Sequence, residues 1–350
     1  MTSRIYRSLI RPALFELDSE DIHDRTLCAL GWISRSPTLC EVVGALFAAP
    51  KLPTQVFGLQ FPNPVGLAAG MDKHAAAVPI WAQLGFGFCE LGGVTWHAQP
   101  GNPKPRMFRV VSDGALINRM GFNNPGAAAM AERLAEWRAR GQWPDHPVGI
   151  NLGKSKITPL DKAADDYAMS LRVLYPHGDF FVINVSSPNT PNLRQLQDKA
   201  ALDEVLAAVQ QVRRDHETRK PILVKVAPDL SFEALDEIVG LTGPREVDGI
   251  VATNTTITRP APGEPIYSET GGLSGRPLRA RSTEMIRHLA NSGLPIVGVG
   301  GIFNAADAYE KMEAGASLVQ IYTGLVYEGP RIAREIVTGL KRLIACGSQR

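Results

Sequence analysis

The chain has 350 residues, more than the roughly 100–200 of an average domain, so it holds either two domains or one large barrel. Hydrophobic residues make up 44% and charged residues 21%, which excludes a disordered chain; 33 glycines and 26 prolines scattered along it exclude repetitive and fibrous classes. With 37 Lys+Arg against 35 Asp+Glu, the net charge of +2 is too even for a protein that holds nucleic acid by its phosphates.

The first fifty residues stand apart. At about 100° per residue, Arg4, Arg7 and Arg11 fall on one face, with Ile5, Leu9, Ile10 and Ala13 largely opposite. A second apolar stretch, 27–47, is broken at Pro37 and carries Trp32, Ile33, Leu39, Val42, Val43, Leu46 and Phe47. Two readings follow: ordinary helices packed on the body, or a helical lobe lying on an anionic membrane surface. Arg11-Pro12 interrupts the N-terminal stretch, so no secretory signal is expected, and no apolar run is long enough to span a bilayer. Cys28, Cys40, Cys89 and Cys346 form no CxxC pair and no metal-type spacing. Cys28 and Cys89 lie in apolar runs and are expected to be buried free thiols, as in a reducing compartment.

From residue 65 onward, short apolar runs alternate with amphipathic stretches. The runs are 65–70, 88–94, 148–152, 180–185, 222–227, 249–253, 295–299 and 318–322, each of strand length and apolar on both faces. Helices are predicted over 125–140, 163–175, 202–214, 231–239 and 278–291. Eight such units predict a TIM (β/α)8 barrel over 51–350 with a small N-terminal helical lobe over 1–50. A doubly wound open sheet is the alternative, but no strand leads into GxGxxG. Segments 105–111 and 114–118 flank a hairpin turn at Ser112-Asp113-Gly114. Segment 258–275, with Pro260, Pro262, Gly263 and Pro265, reads as a long loop after the sixth strand that covers the barrel mouth.

Function in such a barrel sits at the C-terminal ends of the strands. There the sequence offers Lys73, Thr95, Asn151, Asn184 to Ser187, Lys225, Asn254-Thr255, Gly300-Gly301 and Tyr322-Thr323-Gly324. Gly300-Gly301, with Asn304 as N-cap of the next helix, and Thr323-Gly324 after the eighth strand suit a phosphate. Lys225 sits inside an all-apolar strand and must be paired or have a depressed pKa. It serves as a Schiff-base nucleophile, as a cation beside the N1–O2 edge of a flavin, or as partner of a buried carboxylate. Asn118, Asn184, Asn189 and Asn254 offer donors and acceptors suited to a cyclic imide or pyrimidine. Ser187, on the Pro-stiffened Ser186-Ser187-Pro188-Asn189-Thr190-Pro191 loop, lacks a GxSxG context; the structural alternative is a simple Ser turn.

The blocks Ala69-Gly70-Met71-Asp72-Lys73, Asn118-Arg119-Met120-Gly121-Phe122-Asn123-Asn124, Asn184-Val185-Ser186-Ser187-Pro188-Asn189-Thr190 and Gly271-Gly272-Leu273-Ser274-Gly275 resemble dihydroorotate dehydrogenase. Lys225 with Ala227-Pro228-Asp229-Leu230, and Asn254-Thr255-Thr256, extend the likeness over nearly the whole chain. Ser187, where the soluble classes carry cysteine, and the helical extension resemble the membrane-associated, quinone-reducing class in its bacterial form. The resemblance implies FMN-dependent oxidation of (S)-dihydroorotate to orotate, the fourth step of pyrimidine synthesis, with ubiquinone or menaquinone as acceptor. It implies a monomer attached peripherally to the cytoplasmic face of the cell membrane, with Arg4, Arg7 and Arg11 facing lipid phosphates, and no metal.

Residue by residue, the resemblance makes Ser187 the base that removes the C5 proton while C6 gives hydride to flavin N5. Ala69, Gly70, Met71, Asp72, Lys73, Gly93, Asn151, Asn184, Lys225, Thr253, Gly275, Gly301, Tyr322 and Thr323 would hold FMN. Lys73, Asn118, Arg119, Met120, Gly121, Phe122, Asn184, Asn189, Asn254 and Thr255 would hold the substrate. Gly93 stands where many relatives carry threonine, and Thr323 where many carry serine. A serine is a poor base without an activator, so a dry site, a relay through water or a threonine hydroxyl, and a lid over 187–193 are expected. Rival readings differ in simple observables: a Schiff-base aldolase would be trapped by borohydride, and a scaffold protein would be colourless. A flavin barrel acting on transfer RNA would need a basic face, which the charge balance opposes.

Overall fold

In the computed structural model, which describes residues 3–260 and 264–347, eight parallel strands close into a barrel. They are β1 (Val65–Leu67), β2 (Phe88–Val94), β3 (Val148–Leu152), β4 (Phe180–Asn184), β5 (Ile222–Val226), β6 (Gly249–Ala252), β7 (Ile296–Val299) and β8 (Leu318–Ile321). Each pairs with its neighbours in sequence, and β8 closes on β1 through Val319↔Val65 and Ile321↔Leu67. Closure removes the open-sheet alternative. The predicted helices form as Ala127–Ala139, Ala163–Leu174, Lys199–Arg214, Phe232–Thr242 and Arg279–Leu289. Ser231 caps one of these at its N-terminus, and Asn304 caps Ala305–Glu313 by accepting from Asp307 N–H at 3.0 Å.

Period-two alternation sorts each strand into an outward set that meets the helices and an inward set that fills the barrel. The inward set begins with an apolar layer of Phe88, Phe180, Leu223, Val251, Val297 and Leu318. Under it lies an element absent from the predicted set, the hairpin Thr54–Val56 and Leu59–Phe61, which turns at Phe57-Gly58 with φ of 56° and 77°. Its Val56 and Phe61 pack against that apolar layer and cover the floor of the barrel. Phe61 meets Phe88 edge-on at 5.3 Å. Phe61→Ala is expected to cost about 3–5 kcal/mol, read as a lower urea midpoint with an unchanged slope.

At the mouth, the predicted hairpin forms as Met107–Val110 and Ala115–Asn118. Segment 258–275 is more than a loop: Gly272–Gly275 adds a third strand to that hairpin, with Gly272↔Asn118 and Gly275↔Ala115 in register. Positive φ at Gly271 and Gly275, 122° and 96°, brackets the strand. Pro262 and Gly263 lie outside the described residues.

The N-terminal residues are helical: Ser3–Ile5, Tyr6–Ile10 and Arg11–Phe15 run on without a break, followed by Ser19–Ser34 and Pro37–Phe47. Asp18 caps the long helix by accepting from Glu20 and Asp21 N–H, and Ser36 caps the helix that Pro37 begins. Buried Glu20 forks onto buried Arg106 at 2.8–3.2 Å and anchors this lobe to the barrel. Two expectations are corrected here. Arg7, although exposed, pairs with Glu328 at 3.2 Å, and half-buried Arg11 donates to the Tyr327 carbonyl at 3.1 Å, so two of the three arginines are engaged by the protein body. Cys28 is exposed, because its position on the helix faces outward despite apolar neighbours in sequence; Cys89 is buried as expected. Among the described residues no helix is long and apolar enough to cross a membrane.

Candidate active site

One step above the apolar layer, the inward positions turn polar. Two residues on from Phe88 is Glu90, from Gly149 is Asn151, from Val182 is Asn184, from Leu223 is Lys225 and from Leu318 is Gln320. This polar layer is the base of a cleft of about 1090 Å³, counting its open mouth.

The layer is wired as one network. Asn151 Nδ2 donates to Glu90 Oε1 at 2.6 Å, and Asn184 Nδ2 donates to Asn151 Oδ1 at 2.9 Å. Asn184 Oδ1 in turn accepts from Asn254 Nδ2 at 3.2 Å and from the Ser186 hydroxyl at 3.0 Å. Lys225 Nζ lies 3.6 Å from Glu90 Oε1, so a buried carboxylate is indeed its partner, although Lys225 still lines the cleft. Asn189 Nδ2 donates to Asn118 Oδ1 at 3.0 Å, and its own Oδ1 is buried without a partner among the described residues; Thr255 Oγ1 is in the same position. Buried acceptors left open in this way call for a ligand with matching donors.

Lys73 sits on the loop after β1 and donates to the Gly70 carbonyl at 2.8 Å. Burial lowers its pKa to about 8, against the raising influence of Asp24, Glu20 and Asp72. Ser187 is 7% exposed, and its Oγ accepts from Asn189 N–H at 3.3 Å, the geometry of a Ser turn. Among the described residues no carboxylate or imidazole hydrogen-bonds to Ser187 Oγ. Its loop is held from outside by Arg194, which donates to the Ser186 carbonyl at 3.2 Å and the Thr255 carbonyl at 3.1 Å and pairs with Asp229 at 2.8 Å.

At the opposite end, Gly300 and Gly301 turn at φ of 130° and 71°. Side chains are excluded there: a Cβ on Gly301 would stand 2.4 Å from that of Arg279, and one on Gly324 would stand 2.2 Å from the Ile302 carbonyl. Ser274 and Thr323 share a hydroxyl hydrogen bond of 2.8 Å across this end. Gly93 has a local cause, since a Cβ there would meet the Phe122 ring at 2.6 Å. Phe122, itself at φ 53°, occupies the space a threonine would need.

The cleft gathers Ala69, Gly70, Lys73, Gly93, Asn118, Met120, Gly121, Phe122, Asn151, Asn184, Ser187, Asn189, Lys225, Thr253, Asn254, Thr255, Gly275, Gly301, Tyr322 and Thr323. Three expected residues lie elsewhere. The Asp72 carboxylate is consumed by Ala76 N–H, Ala77 N–H and Trp81 Nε1 at 2.8–3.2 Å, which orders the loop before Val78–Gln83. Arg119, next to inward Asn118, takes the outward pleat, stacks on Phe108 and pairs with Glu269 at 2.6 Å. Met71 lines a second cavity. Conversely, Glu90, Gln320 and Ser274 were not expected from sequence, although Glu90 and Gln320 each sit two places after an inward apolar residue.

The second cavity, about 1080 Å³ counting its open mouth, is apolar and lies between the N-terminal helices and the barrel. Leu14, Phe15, Ile22, Leu27 and Leu30 of the lobe line it, opposite Trp81, Leu325 and Val326. Half-buried His23 is kept neutral there, its pKa lowered to about 3 by burial and by nearby Lys73 and His74. Met107, Leu116 and Tyr322 line both cavities and so form a common wall.

A closed parallel barrel with a polar, ligand-sized cleft at its C-terminal mouth and a glycine cradle after its last two strands is the architecture of a cofactor-dependent barrel enzyme. A profile of the dihydroorotate dehydrogenase family matches residues 51–344. The chain is 54% identical over 342 residues to the dihydroorotate dehydrogenase (quinone) of Gloeobacter violaceus, covering 96% of this chain and 94% of that one. To the enzyme of the same name from Thermosynechococcus vestitus it is 51% identical over 355 residues, covering 96% of each. The crystal structure of dihydroorotate dehydrogenase from Eimeria tenella in complex with ferulenol superposes with a TM-score of 0.84 at 35% identity, over 95% of this chain and 93% of that one. The chain belongs to the dihydroorotate dehydrogenase family, whose members are flavin-dependent enzymes.

Proposed function

We propose that the chain oxidises (S)-dihydroorotate to orotate in pyrimidine synthesis, with FMN held in the polar cleft and a membrane quinone reduced from the apolar cavity. The observation that carries this reading is the common wall of Met107, Leu116 and Tyr322 between a polar cleft and an apolar one. A water-soluble donor and a lipid-soluble acceptor can then serve one cofactor without meeting.

FMN fits the residues present. Its phosphate needs backbone N–H groups at close approach, which the Gly300-Gly301 turn and the start of Thr323–Glu328 offer. Its ring needs a cation and amide partners, for which Lys225 and Asn151 line the same cleft. Bound there, the flavin supplies two-electron acceptance from the substrate and delivery to the quinone. Gly70, Gly93, Thr253, Gly275, Tyr322 and Thr323 complete its surroundings. Ser187 takes the substrate proton, Lys73, Asn118 and the Met120 to Phe122 turn hold the substrate carboxylate, and Asn189, Asn254 and Thr255 read its ring edges. Asn184 acts mainly by aligning Asn151 and Asn254.

Residues 1–50 form the quinone-access lobe. Its exposed Ile5, Leu9, Leu17, Trp32, Val42 and Leu46 supply an apolar surface for peripheral attachment, on the cytoplasmic face of the membrane. Because two of the three N-terminal arginines are engaged with the protein, attachment rests on apolar contact more than on lipid phosphates.

The purified protein should be yellow, lose its visible flavin absorbance with dihydroorotate and regain it with a short-chain quinone. A colourless protein, or a flavin that dihydroorotate leaves oxidised, overturns the reading. Lys73 adds a pH dependence. Its charged form, present below about 8, is the one that attracts a carboxylate, so orotate affinity should be flat below that pH. Above it, affinity should fall by up to about tenfold per pH unit, as a titration of the flavin spectrum with orotate would measure.

A further inference from the structure

Glu90 carries a negative charge into the barrel interior at a level where every other named group is neutral or cationic. Its side chain is fully buried on β2. Asn151 Nδ2 reaches Oε1 at 2.6 Å, Gln320 Nε2 reaches Oε2 at 2.5 Å, and Lys225 Nζ stands 3.6 Å from Oε1. These three partners come from β3, β8 and β5, and all three line the cleft, whereas Glu90 lies behind them.

An ionised carboxylate only accepts hydrogen bonds. Its position therefore sets the sense of every amide connected to it. Asn151 must present its NH2 to Glu90, so its carbonyl oxygen accepts from Asn184. Asn184 is then forced to offer its own oxygen to Asn254 and Ser186. Gln320 is turned in the same way, and its Oε1 is left buried and without a partner among the described residues. A glutamine in place of Glu90 could donate or accept and would leave this sense undetermined. It would also leave Lys225 as an uncompensated buried charge, which is costly in a dry interior.

We propose that Glu90 is a positioning residue that offsets the charge of Lys225 and sets the polarity of the Asn151–Asn184–Asn254 chain, and through them fixes the flavin potential and substrate affinity. This inference rests on the flavin-dependent function proposed above. Glu90 touches neither substrate nor cofactor; its effect passes through residues that line the cleft.

The test uses the holoprotein carrying Glu90→Gln, with Glu90→Asp as the variant that keeps the charge. The readouts are the flavin midpoint potential by dye equilibration, the FMN dissociation constant and the orotate dissociation constant. In Glu90→Gln, unbalanced Lys225 should favour the reduced, anionic flavin by tenfold or more, a rise of about 30 mV for a two-electron couple. Orotate affinity should fall about tenfold, since the lost amide alignment is worth roughly one hydrogen bond. Glu90→Asp should recover most of the potential but less of the orotate affinity, because its shorter reach keeps the charge and loosens the contact with Asn151. If Glu90→Gln folds and its potential and orotate affinity stay within twofold of the parent, the proposal is wrong and Glu90 is only structural. Should Glu90→Gln fail to fold, Glu90→Asp decides alone: parental values for both quantities overturn the proposal, and a selective loss of orotate affinity supports it. Failure of the underlying function would be distinguishable, because dihydroorotate would then leave the parent protein's flavin oxidised.

Discussion

Ser187→Ala is expected to slow bleaching of the bound flavin by dihydroorotate by about 10²–10⁴-fold, the usual contribution of a positioned general base. FMN should remain bound, because the groups assigned to it lie on the strands and glycine turns and not on the 187–193 loop. Stopped-flow measurement of flavin absorbance under anaerobic conditions reads the step directly. The difficulty of serine as a base is visible in the structure: Ser187 Oγ has an Asn189 N–H at 3.3 Å and, among the described residues, no acid–base side chain hydrogen-bonded to it. The same loop carries Thr190, 5% exposed, whose hydroxyl is buried without a partner among the described residues. A relay from Ser187 through water and this hydroxyl agrees with both facts, and Thr190→Val should then slow the same bleaching step while leaving orotate affinity unchanged. A Ser187→Ala protein that bleaches at the parental rate would remove Ser187 from the mechanism.

Leu30→Trp should separate the two half-reactions. Leu30 belongs to the lobe, is half-buried and lines the apolar cavity but not the polar cleft. A larger ring there fills the space assigned to the quinone, so quinone turnover should fall at least tenfold, equivalent to about 1.4 kcal/mol. Bleaching by dihydroorotate should keep its rate, since the wall of Met107, Leu116 and Tyr322 stands between that position and the cleft. Overpacking at this site costs stability of about 1–3 kcal/mol, which a thermal scan separates from loss of turnover. If both half-reactions slow together, the cavity is not a separate quinone site. If quinone turnover is unaffected, the acceptor approaches by another route.

Some of this was legible in the linear chain because it is periodic. Eight apolar runs separated by amphipathic stretches require a parallel sheet covered by helices, and eight units suffice to close it. The strand-end residues were legible for the same reason, since the place where an apolar run ends is written in the sequence. Asn118 and Arg119 mark where this reasoning reached its limit. They are adjacent in the motif, but the pleat sends one into the cleft and the other onto Phe108. Asp72 marks it again, because a carboxylate flanked by site residues is consumed in capping its own loop.

The chain by itself determined the barrel, the helical lobe, the glycine turns and the polar residues at the mouth, all of which follow from patterns local to one run or one loop. Only the tertiary structure decided which charge Lys225 meets, what displaces a side chain at Gly93, and that two cavities share a wall. Those features join residues far apart in sequence: Glu90 to Lys225, Gly93 to Phe122, the lobe to Tyr322 just after β8. Closing the barrel brings the inward side chains of β2 and β5 together, and a contact made by closure has no signature in either strand alone.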